Sequence, residues 1–148
     1  MTNIRIHEIR MQLERLKHPQ TFVATVDSDG APQVRPMTLM YFNNEFYLAT
    51  FRSSDKAVQI AKDNRLEFVT PFCEGSYSGY LRVMGVAEEI KDTSLAEKIT
   101  IACSYPVLEY WRSVRDPDFL FIKIKPLRVK FMKPGEEYAV EVTDEFVK

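Results

Sequence analysis

The spacing of apolar and polar residues predicts a helix at the start of the chain, followed by strands. We expect a helix from Ile4 to Lys17, because apolar side chains recur there at helical spacing: Ile6, Ile9, Leu13 and Leu16. Pro19 ends this helix. From Thr21 the apolar period changes to two, and the β-branched residues from Thr21 to Val26 predict a strand.

Turn signals place two further strands directly after the first. The turn residues from Asp27 to Gly30 predict a hairpin whose second strand runs from about Gln33 to Phe42. Asn43 and Asn44 tolerate positive φ and therefore suit a tight turn into a third strand, from Phe46 to Phe51.

The middle of the chain predicts a helix and two longer strands. Ser54 is a candidate N-cap for a helix that ends near Asn64. The following strand, from Leu66 to Cys73, contains Pro71, which favours an edge or a bulge, and the next strand runs from Tyr80 to Ile90. Gly85 lies inside that second strand, where we expect a bend.

The remaining segments predict helices, then closing strands. We expect helices from Ser94 to Cys103 and from Val107 to Ser113, strands from Phe119 to Lys125 and from Leu127 to Lys133, and a short tail strand from Tyr138 to Val142. Many short strands with few helices favour a small antiparallel barrel, because closure removes exposed strand edges.

Composition restricts the class of protein. With 148 residues the chain has the size of one domain, and 20 basic against 21 acidic residues create no overall field for nucleic acid or an anionic membrane. No apolar run reaches the roughly 20 residues of a membrane helix, so a cytoplasmic location is expected. Cys73 and Cys103 are far apart in the sequence and are expected to be buried, reduced thiols.

Several kinds of catalytic site lack their residues. The only histidines, His7 and His18, both lie at the first helix and are expected on the surface, so no metal site is predicted. The segment from Gly75 to Gly79 has Tyr77 where a nucleophile elbow has serine, and we interpret it as a flexible loop. The glycine-rich cradles for dinucleotides and nucleoside triphosphates are absent from the sequence.

The segment from Thr50 to Lys56 is a candidate anion site. Hydroxyls and cations stand where a strand ends and a helix begins, and a helix N-terminus favours an anion by about 0.3–1 kcal/mol when exposed. Serine hydroxyls and Lys56 would add directed hydrogen bonds. The alternative is a helix capped by Ser54 and followed by solvated charges.

Arg35 strengthens the anion hypothesis because it lies mid-strand among apolar residues. Pro36 removes one backbone donor and holds Arg35 extended. A ligand along this strand would explain the pattern, with Arg35 at a phosphate and the backbone of Met37 and Thr38 against a planar ring. The alternative is an edge strand with an outward-pointing arginine.

The order of these motifs resembles the FMN-binding split barrels of the pyridoxamine 5′-phosphate oxidase superfamily. The resemblance covers nearly the whole chain, and within the superfamily it is to short members described as general-stress or nitroimidazole-resistance-like proteins. The motifs are Thr-Val-Asp-x-Asp-Gly at 25–30, Arg-Pro-Met at 35–37, Ala-Thr at 49–50, Ser-x-Lys at 54–56 and Arg-x-x-Gly at 82–85.

The resemblance implies a mainly β (α+β) fold, an antiparallel split β-barrel with flanking helices, as one FMN-binding domain over residues 1–148. It implies a homodimer whose partner completes the flavin pocket. It also implies that the FMN phosphate is held by Arg35, Thr50, Ser54 and Lys56, and that the wider cofactor site includes Pro36, Met37, Thr38, Ala49, Ser53 and Arg82. Trp111 would flank the flavin from the partner, although core or dimer packing of this residue remains the alternative.

Two departures from the family pattern limit the expected function. The chain has Asp55 where the oxidase has an arginine, and it lacks the Arg-x-His near the C-terminus that serves the oxidase's substrate. We therefore expect an FMN-dependent oxidoreductase that passes electrons from reduced nicotinamide to a small acceptor, and not a true pyridoxamine phosphate oxidase. The alternatives are a non-catalytic carrier or sensor of FMN or a related planar cofactor, and an empty barrel used for protein contact.

Overall fold

The computed structural model describes residues 2–16 and 19–147. In this range it contains three α-helices, α1 Thr2–Leu16, α2 Asp55–Lys62 and α3 Thr93–Ala102. The eight strands are β1 Gln20–Val26, β2 Pro32–Thr38, β3 Met40–Phe42, β4 Glu45–Phe51, β5 Arg65–Glu74, β6 Tyr77–Glu89, β7 Phe119–Met132 and β8 Val140–Glu141. Two short 3₁₀ turns cover Val107–Glu109 and Thr143–Glu145.

The strands form one antiparallel sheet that curls on itself. Its order is β2-β1-β5-β6-β7-β4-β3, with β8 added to β7. The two outermost strands, β2 and β3, are consecutive in the chain and are separated only by Leu39. The sheet must therefore bend until its ends approach each other. This architecture confirms the predicted mainly β, antiparallel split-barrel class.

Two apolar cores lie on opposite sides of the barrel wall. Alternation along β4 directs Leu48 into the main core and Ala49 into the second. In the main core, α1 contributes Ile9 and Leu13 and α2 contributes Ala57. The second core lies between β3, β4 and β7 on one side and α3 with the following segment on the other. Both surfaces of β4 are thus buried, which holds its C-terminal end in place.

Several local predictions are confirmed. Asn43 and Asn44 have φ values of 50° and 62° in the β3–β4 turn. Ser54 caps α2, since its side chain accepts a hydrogen bond from the backbone N–H of Ala57. At Gly85, where a bend was expected, the pairing of β6 with β7 shifts register.

Three predicted elements are wrong in their extent. The strand expected over 33–42 is interrupted at Leu39, and the helix expected over 107–113 is a single 3₁₀ turn at Val107–Glu109. The expected closing strand pair is one continuous strand, β7. Pro126 does not break β7 because it lies opposite Gly85 at the register shift, where regular pairing is already interrupted.

Four smaller expectations also need correction. Cys73 is exposed and only Cys103 is buried, because Cys73 lies near the open end of β5. The segment from Gly75 to Gly79 is a tight hairpin between β5 and β6, in which Glu74 pairs with Tyr77.

Asp92 caps α3, because its carboxylate accepts hydrogen bonds from the N–H groups of Ser94 and Leu95. Pro71 lies in a strand that is interior in the sheet order, but it is beyond the three residue pairs that join β5 to β1, so its missing N–H breaks no hydrogen bond on that side. The tail strand is shorter than expected, at Val140–Glu141. Lys17 and His18 lie outside the described residues, so the predicted end of the first helix and the location of His18 are not tested.

None of the helices within residues 2–16 and 19–147 is long and apolar enough to cross a membrane.

Replacing Gly85 by alanine should destabilise the fold. A Cβ atom there would overlap the backbone oxygen of Lys125, and backbone cannot move aside cheaply. We expect a loss of about 1–3 kcal/mol in the free energy of unfolding, measured by urea denaturation. Gly30→Asn is the control, because a Cβ at Gly30 meets nothing within 4 Å and asparagine tolerates positive φ. Equal losses in both variants would contradict the close approach at Gly85.

Candidate functional site

Arg35 lies on the inner face of β2, beneath α2. It pairs with Val23 in β1, and cross-strand partners share a face, so Arg35 points to the same side as this core residue. Its guanidinium Nη1 donates to Thr25 Oγ1 at 2.6 Å and to the backbone oxygen of Gln33 at 3.2 Å, and Nη2 donates to Gln59 Oε1 at 3.3 Å. The half-buried arginine is therefore held between β1 and α2. The alternative is right that β2 is an outermost strand and wrong that its arginine points outward.

The start of α2 forms a corner of hydroxyls and backbone N–H groups. Ser54 Oγ donates to the backbone oxygen of Phe51 at 2.7 Å and accepts from the backbone N–H of Ala57 at 3.3 Å. The buried Thr50 Oγ1 lies 3.3 Å from Ser54 Oγ. The first N–H groups of a helix have no intrahelical acceptor and carry the positive end of the helix dipole. This corner is polarised to receive an anion.

Two cations are concentrated at the same corner. Burial lowers the pKa of the Arg35 guanidinium, while the charge of Asp55 opposes that change. Burial also lowers the pKa of the Lys56 ammonium, the charge of Arg35 lowers it further, and Asp55 again opposes. In residues 2–16 and 19–147, neither cation forms an ion pair with a carboxylate. Arg35 and Lys56 thus repel each other, and a bound anion would relieve that repulsion.

Ser53 fixes the outer side of the corner. Its backbone N–H donates to Asp118 Oδ1 at 2.9 Å and its hydroxyl donates to Asp118 Oδ2 at 3.1 Å. The backbone N–H of Arg52 donates to the backbone oxygen of Asp118 at 2.8 Å, and the Arg52 side chain pairs with Glu89. Asp118 therefore holds the turn before α2, and both donors of Ser53 are engaged within the chain.

The other predicted residues of β2 and β6 are divided between the two faces of the sheet. Met37 packs against the main core, Pro36 is exposed and Thr38 is half-buried. Arg82 pairs with Val69, so it points to the outer face, opposite to Arg35, and forms an ion pair with Glu67. A single chain does not bring Arg82 together with the corner at α2.

Ala49 and Trp111 belong to the second core. Trp111 is buried, and its ring centroid lies 4.7 Å from that of Phe51, the last residue of β4. The indole therefore supports the strand end that leads into the corner, as the packing alternative expected. Among the described residues, Trp111 Nε1 is a buried donor without a hydrogen-bond partner.

The sequence did not point to Gln59 and Thr25. Gln59 lies three residues after Lys56, on the neighbouring turn of α2, and its Oε1 accepts from Thr25 Oγ1 at 2.5 Å as well as from Arg35. The only sequence signal was the (i, i+3) spacing from Lys56, which places two polar side chains on adjacent turns of one helix side. That pattern is also typical of an ordinary solvated helix surface.

A cavity of about 510 Å³ on the outer side of α2 is less suited to an anion. It lies between α2 and the β1–β2 turn, and its charged lining is formed by Asp27, Asp55 and Asp63 with Lys62 and Arg65. Arg65 already pairs with Asp63, and the remaining lining carries two carboxylates against one lysine, which disfavours a phosphate. The cationic corner at Arg35 and Lys56 is the better site for an anionic ligand.

Solved structures with the same fold are only distantly similar in sequence. A heme binding protein from Mycobacterium smegmatis has a TM-score of 0.74 and 18% identity over 88% of this chain, which spans 55% of that protein. A NimC/NimA family protein from Clostridium acetobutylicum has a TM-score of 0.72 and 16% identity, with 95% of this chain and 94% of that chain covered.

A protein related to general stress protein 26, of the pyridoxinephosphate oxidase family and from the same organism, has a TM-score of 0.72. Its identity is 19%, and 99% of each chain is covered. At these identities the likeness shows the fold alone.

Family membership rests on the sequence itself. No curated protein sequence matches the chain significantly. The family profile described as pyridoxamine 5′-phosphate oxidase matches residues 7–133, which include all eleven predicted cofactor-site residues, from Arg35 to Trp111. The chain therefore belongs to the pyridoxamine 5′-phosphate oxidase family.

Proposed function

We propose that this protein binds FMN, with the phosphate at the corner formed by Arg35, Lys56 and the start of α2. The observation that carries the proposal is the pair of half-buried cations, which repel each other and form no ion pair within residues 2–16 and 19–147. Uncompensated charge that is partly removed from water is costly unless a counter-charge binds. A phosphate dianion supplies that counter-charge.

The donor set suits a phosphate. A phosphate in a partly dehydrated groove needs cations and directed N–H or O–H donors to replace its water. Arg35 and Lys56 supply the cations, the first turn of α2 supplies backbone N–H groups, and Thr50 adds a hydroxyl. Ser54 contributes as the cap that fixes the geometry of the turn. Asp55 is exposed, so its carboxylate can stay in water beside the ligand.

The proposed reaction is electron transfer from reduced nicotinamide to a small acceptor. Bound FMN would supply the redox chemistry, and the protein would supply binding and orientation. The β2 strand beyond Arg35 would lie along the ring, with the backbone of Met37 and Thr38 beside it. Asp55 in place of an arginine argues against pyridoxamine phosphate as the substrate.

The second candidate is binding without turnover, as a carrier or sensor. The same corner would serve it, because a phosphate site holds a ligand whether or not a reaction follows. Another planar cofactor is also compatible with the fold, as the heme-binding description of one structural neighbour illustrates. The two candidates differ only in whether reduced nicotinamide is consumed repeatedly.

We also propose a homodimer formed through the outer face of the sheet. Val34, Phe22 and Met84 share that face by register and remain 68, 37 and 41% exposed, so no other part of the described chain covers them fully. The Glu67–Arg82 ion pair lies on the same face. In a two-fold arrangement each face meets its own copy, so the two charges could exchange partners across the interface.

Alanine at Arg35 or at Lys56 should weaken FMN binding by about 1.5–3 kcal/mol, because each change removes a charge-assisted hydrogen bond to the phosphate. Fluorescence titration with FMN and with riboflavin measures the effect. Riboflavin lacks the phosphate, so its affinity should stay close to that of the parent protein in both variants.

Lys62→Ala is the matched control for this titration, because Lys62 is an exposed lysine in the last turn of the same helix. It should leave FMN affinity unchanged. The phosphate assignment is wrong if Arg35→Ala and Lys56→Ala bind FMN as tightly as the parent, or if they lose riboflavin to the same extent.

The FMN-loaded protein should oxidise many equivalents of reduced nicotinamide per protein when a small acceptor such as ferricyanide is present. Absorbance at the nicotinamide band follows the reaction, and free FMN at the same concentration gives the background rate. The Lys56→Ala variant, loaded with FMN and washed in the same way as the parent protein, should lose its FMN and give no more than that background rate. Oxidation that stops after one equivalent would favour the carrier or sensor.

Glutamate at Met84 should dissociate the dimer, because it adds a negative charge to the proposed interface opposite Glu67 in β5, while Arg128 opposite it in β7 already pairs with Glu141. Sedimentation velocity at micromolar concentration, with FMN present, should change from dimer to monomer. Ile101→Glu is the control, since Ile101 is 70% exposed but lies on α3, outside this face. If the dimer survives Met84→Glu, or if Ile101→Glu dissociates it, the interface does not lie on the outer face of the sheet.

A further inference from the structure

Gln59 is the centre of a chain of hydrogen bonds that connects the β1–β2 turn to Arg35. Asp27 Oδ2 accepts from Gln33 Nε2 at 3.1 Å, and Gln33 Oε1 accepts from Gln59 Nε2 at 3.1 Å. Gln59 Oε1 in turn accepts from Thr25 Oγ1 at 2.5 Å and from Arg35 Nη2 at 3.3 Å. We call this set, Asp27, Gln33, Gln59, Thr25 and Arg35, the glutamine relay.

The two ends of the glutamine relay determine the orientation of both amides. A guanidinium can only donate hydrogen bonds, and an ionised carboxylate can only accept them. The backbone N–H of Ala31 donates to Asp27 Oδ1 and lowers the pKa of that carboxyl, which keeps it ionised at neutral pH. Flipping either amide would bring two donors or two acceptors together. The relay therefore has one arrangement, and it holds Arg35 beneath α2.

The relay fixes Arg35 without neutralising it. The groups that accept hydrogen bonds from its guanidinium are a hydroxyl, an amide and backbone oxygens, all of which are uncharged. The one carboxylate of the relay, Asp27, is separated from Arg35 by two glutamine side chains. The other charged groups of α2 near Arg35 are Lys56, which adds to the positive charge, and the exposed Asp55.

We infer that Gln59 is the positioning residue that makes this site selective for a phosphate-bearing ligand over its uncharged counterpart. The inference rests on the proposed function, and it concerns how the chain distinguishes FMN from riboflavin. The neutral amide accepts from Arg35 as a glutamate would, but it leaves the positive charge available to the ligand. A glutamate at this position would pair with Arg35 and place a negative charge next to the phosphate.

Two variants separate charge from structural support. Gln59→Glu keeps the acceptor for Thr25 and Arg35, loses the exposed hydrogen bond to Gln33 and adds a negative charge, whereas Gln59→Leu removes all side-chain hydrogen bonds of residue 59 and adds no charge. If Gln59 acts through charge, Gln59→Glu should weaken FMN binding about tenfold or more and Gln59→Leu only about threefold, while riboflavin affinity stays unchanged in both. Apoprotein melting should show the opposite order, with Gln59→Leu the less stable variant, because its neighbours lose their partner.

The opposite order of the two measurements is the decisive result. A purely structural role predicts that Gln59→Leu is worse than Gln59→Glu in both melting and FMN binding, and that riboflavin binding falls together with FMN binding. Either of these findings would overturn the inference. The proposed function is tested first and separately, since a parent protein that binds no FMN refutes the proposed function, and the inference with it, before any variant is made.

Discussion

The single-residue link between β2 and β3 is the constraint on which the rest of the structure depends. Leu39 is fully buried, and its backbone N–H donates to the backbone oxygen of Pro19 at 2.9 Å, so the link is anchored in the main core. Because it joins the two outermost strands of the sheet order, the sheet has to curl. The curl brings β2, which carries Arg35, against β4, which leads into α2. Two distant parts of the sequence thus form one cationic corner.

That corner combines two opposing requirements. Packing must hold Arg35 and Lys56 close together, although their charges repel and partial burial lowers the pKa of both groups. Neutral hydrogen-bond acceptors surround Arg35, and hydrogen bonds hold the corner on both sides. The glutamine relay holds Arg35 from the side of β1, and Asp118 holds the turn before α2. Because these neutral contacts hold Arg35 and the turn in place, the charges of Arg35 and Lys56 remain available for a ligand.

The two faces of the sheet differ in the side chains that they present. The inner face and α2 form the cationic corner, while the outer face carries exposed apolar side chains and the Glu67–Arg82 pair. Structural neighbours with 16–19% identity share the fold but are described as a heme binding protein, a NimC/NimA family protein and a protein related to general stress protein 26. The barrel is therefore a common scaffold, and function has to be argued from the side chains at the corner and on the outer face.

The sequence by itself determined the elements whose signals are local. Period-two alternation located β1, paired asparagines marked the β3–β4 turn and with it the start of β4, and Ser54 marked the start of α2. The motifs around Arg35, Thr50 and Lys56 were enough to indicate the family, which the profile over residues 7–133 confirms.

Only the tertiary structure decided the extent of β7 and the placement of Trp111 and Arg82, because these depend on contacts between residues far apart in the chain. Pro126 stays within one strand because Gly85 provides an irregular partner, and Trp111 lies in a core because α3 covers β4 and β7. Arg82 is separated from Arg35 because cross-strand register, which no single segment encodes, sets which face of the sheet each side chain occupies.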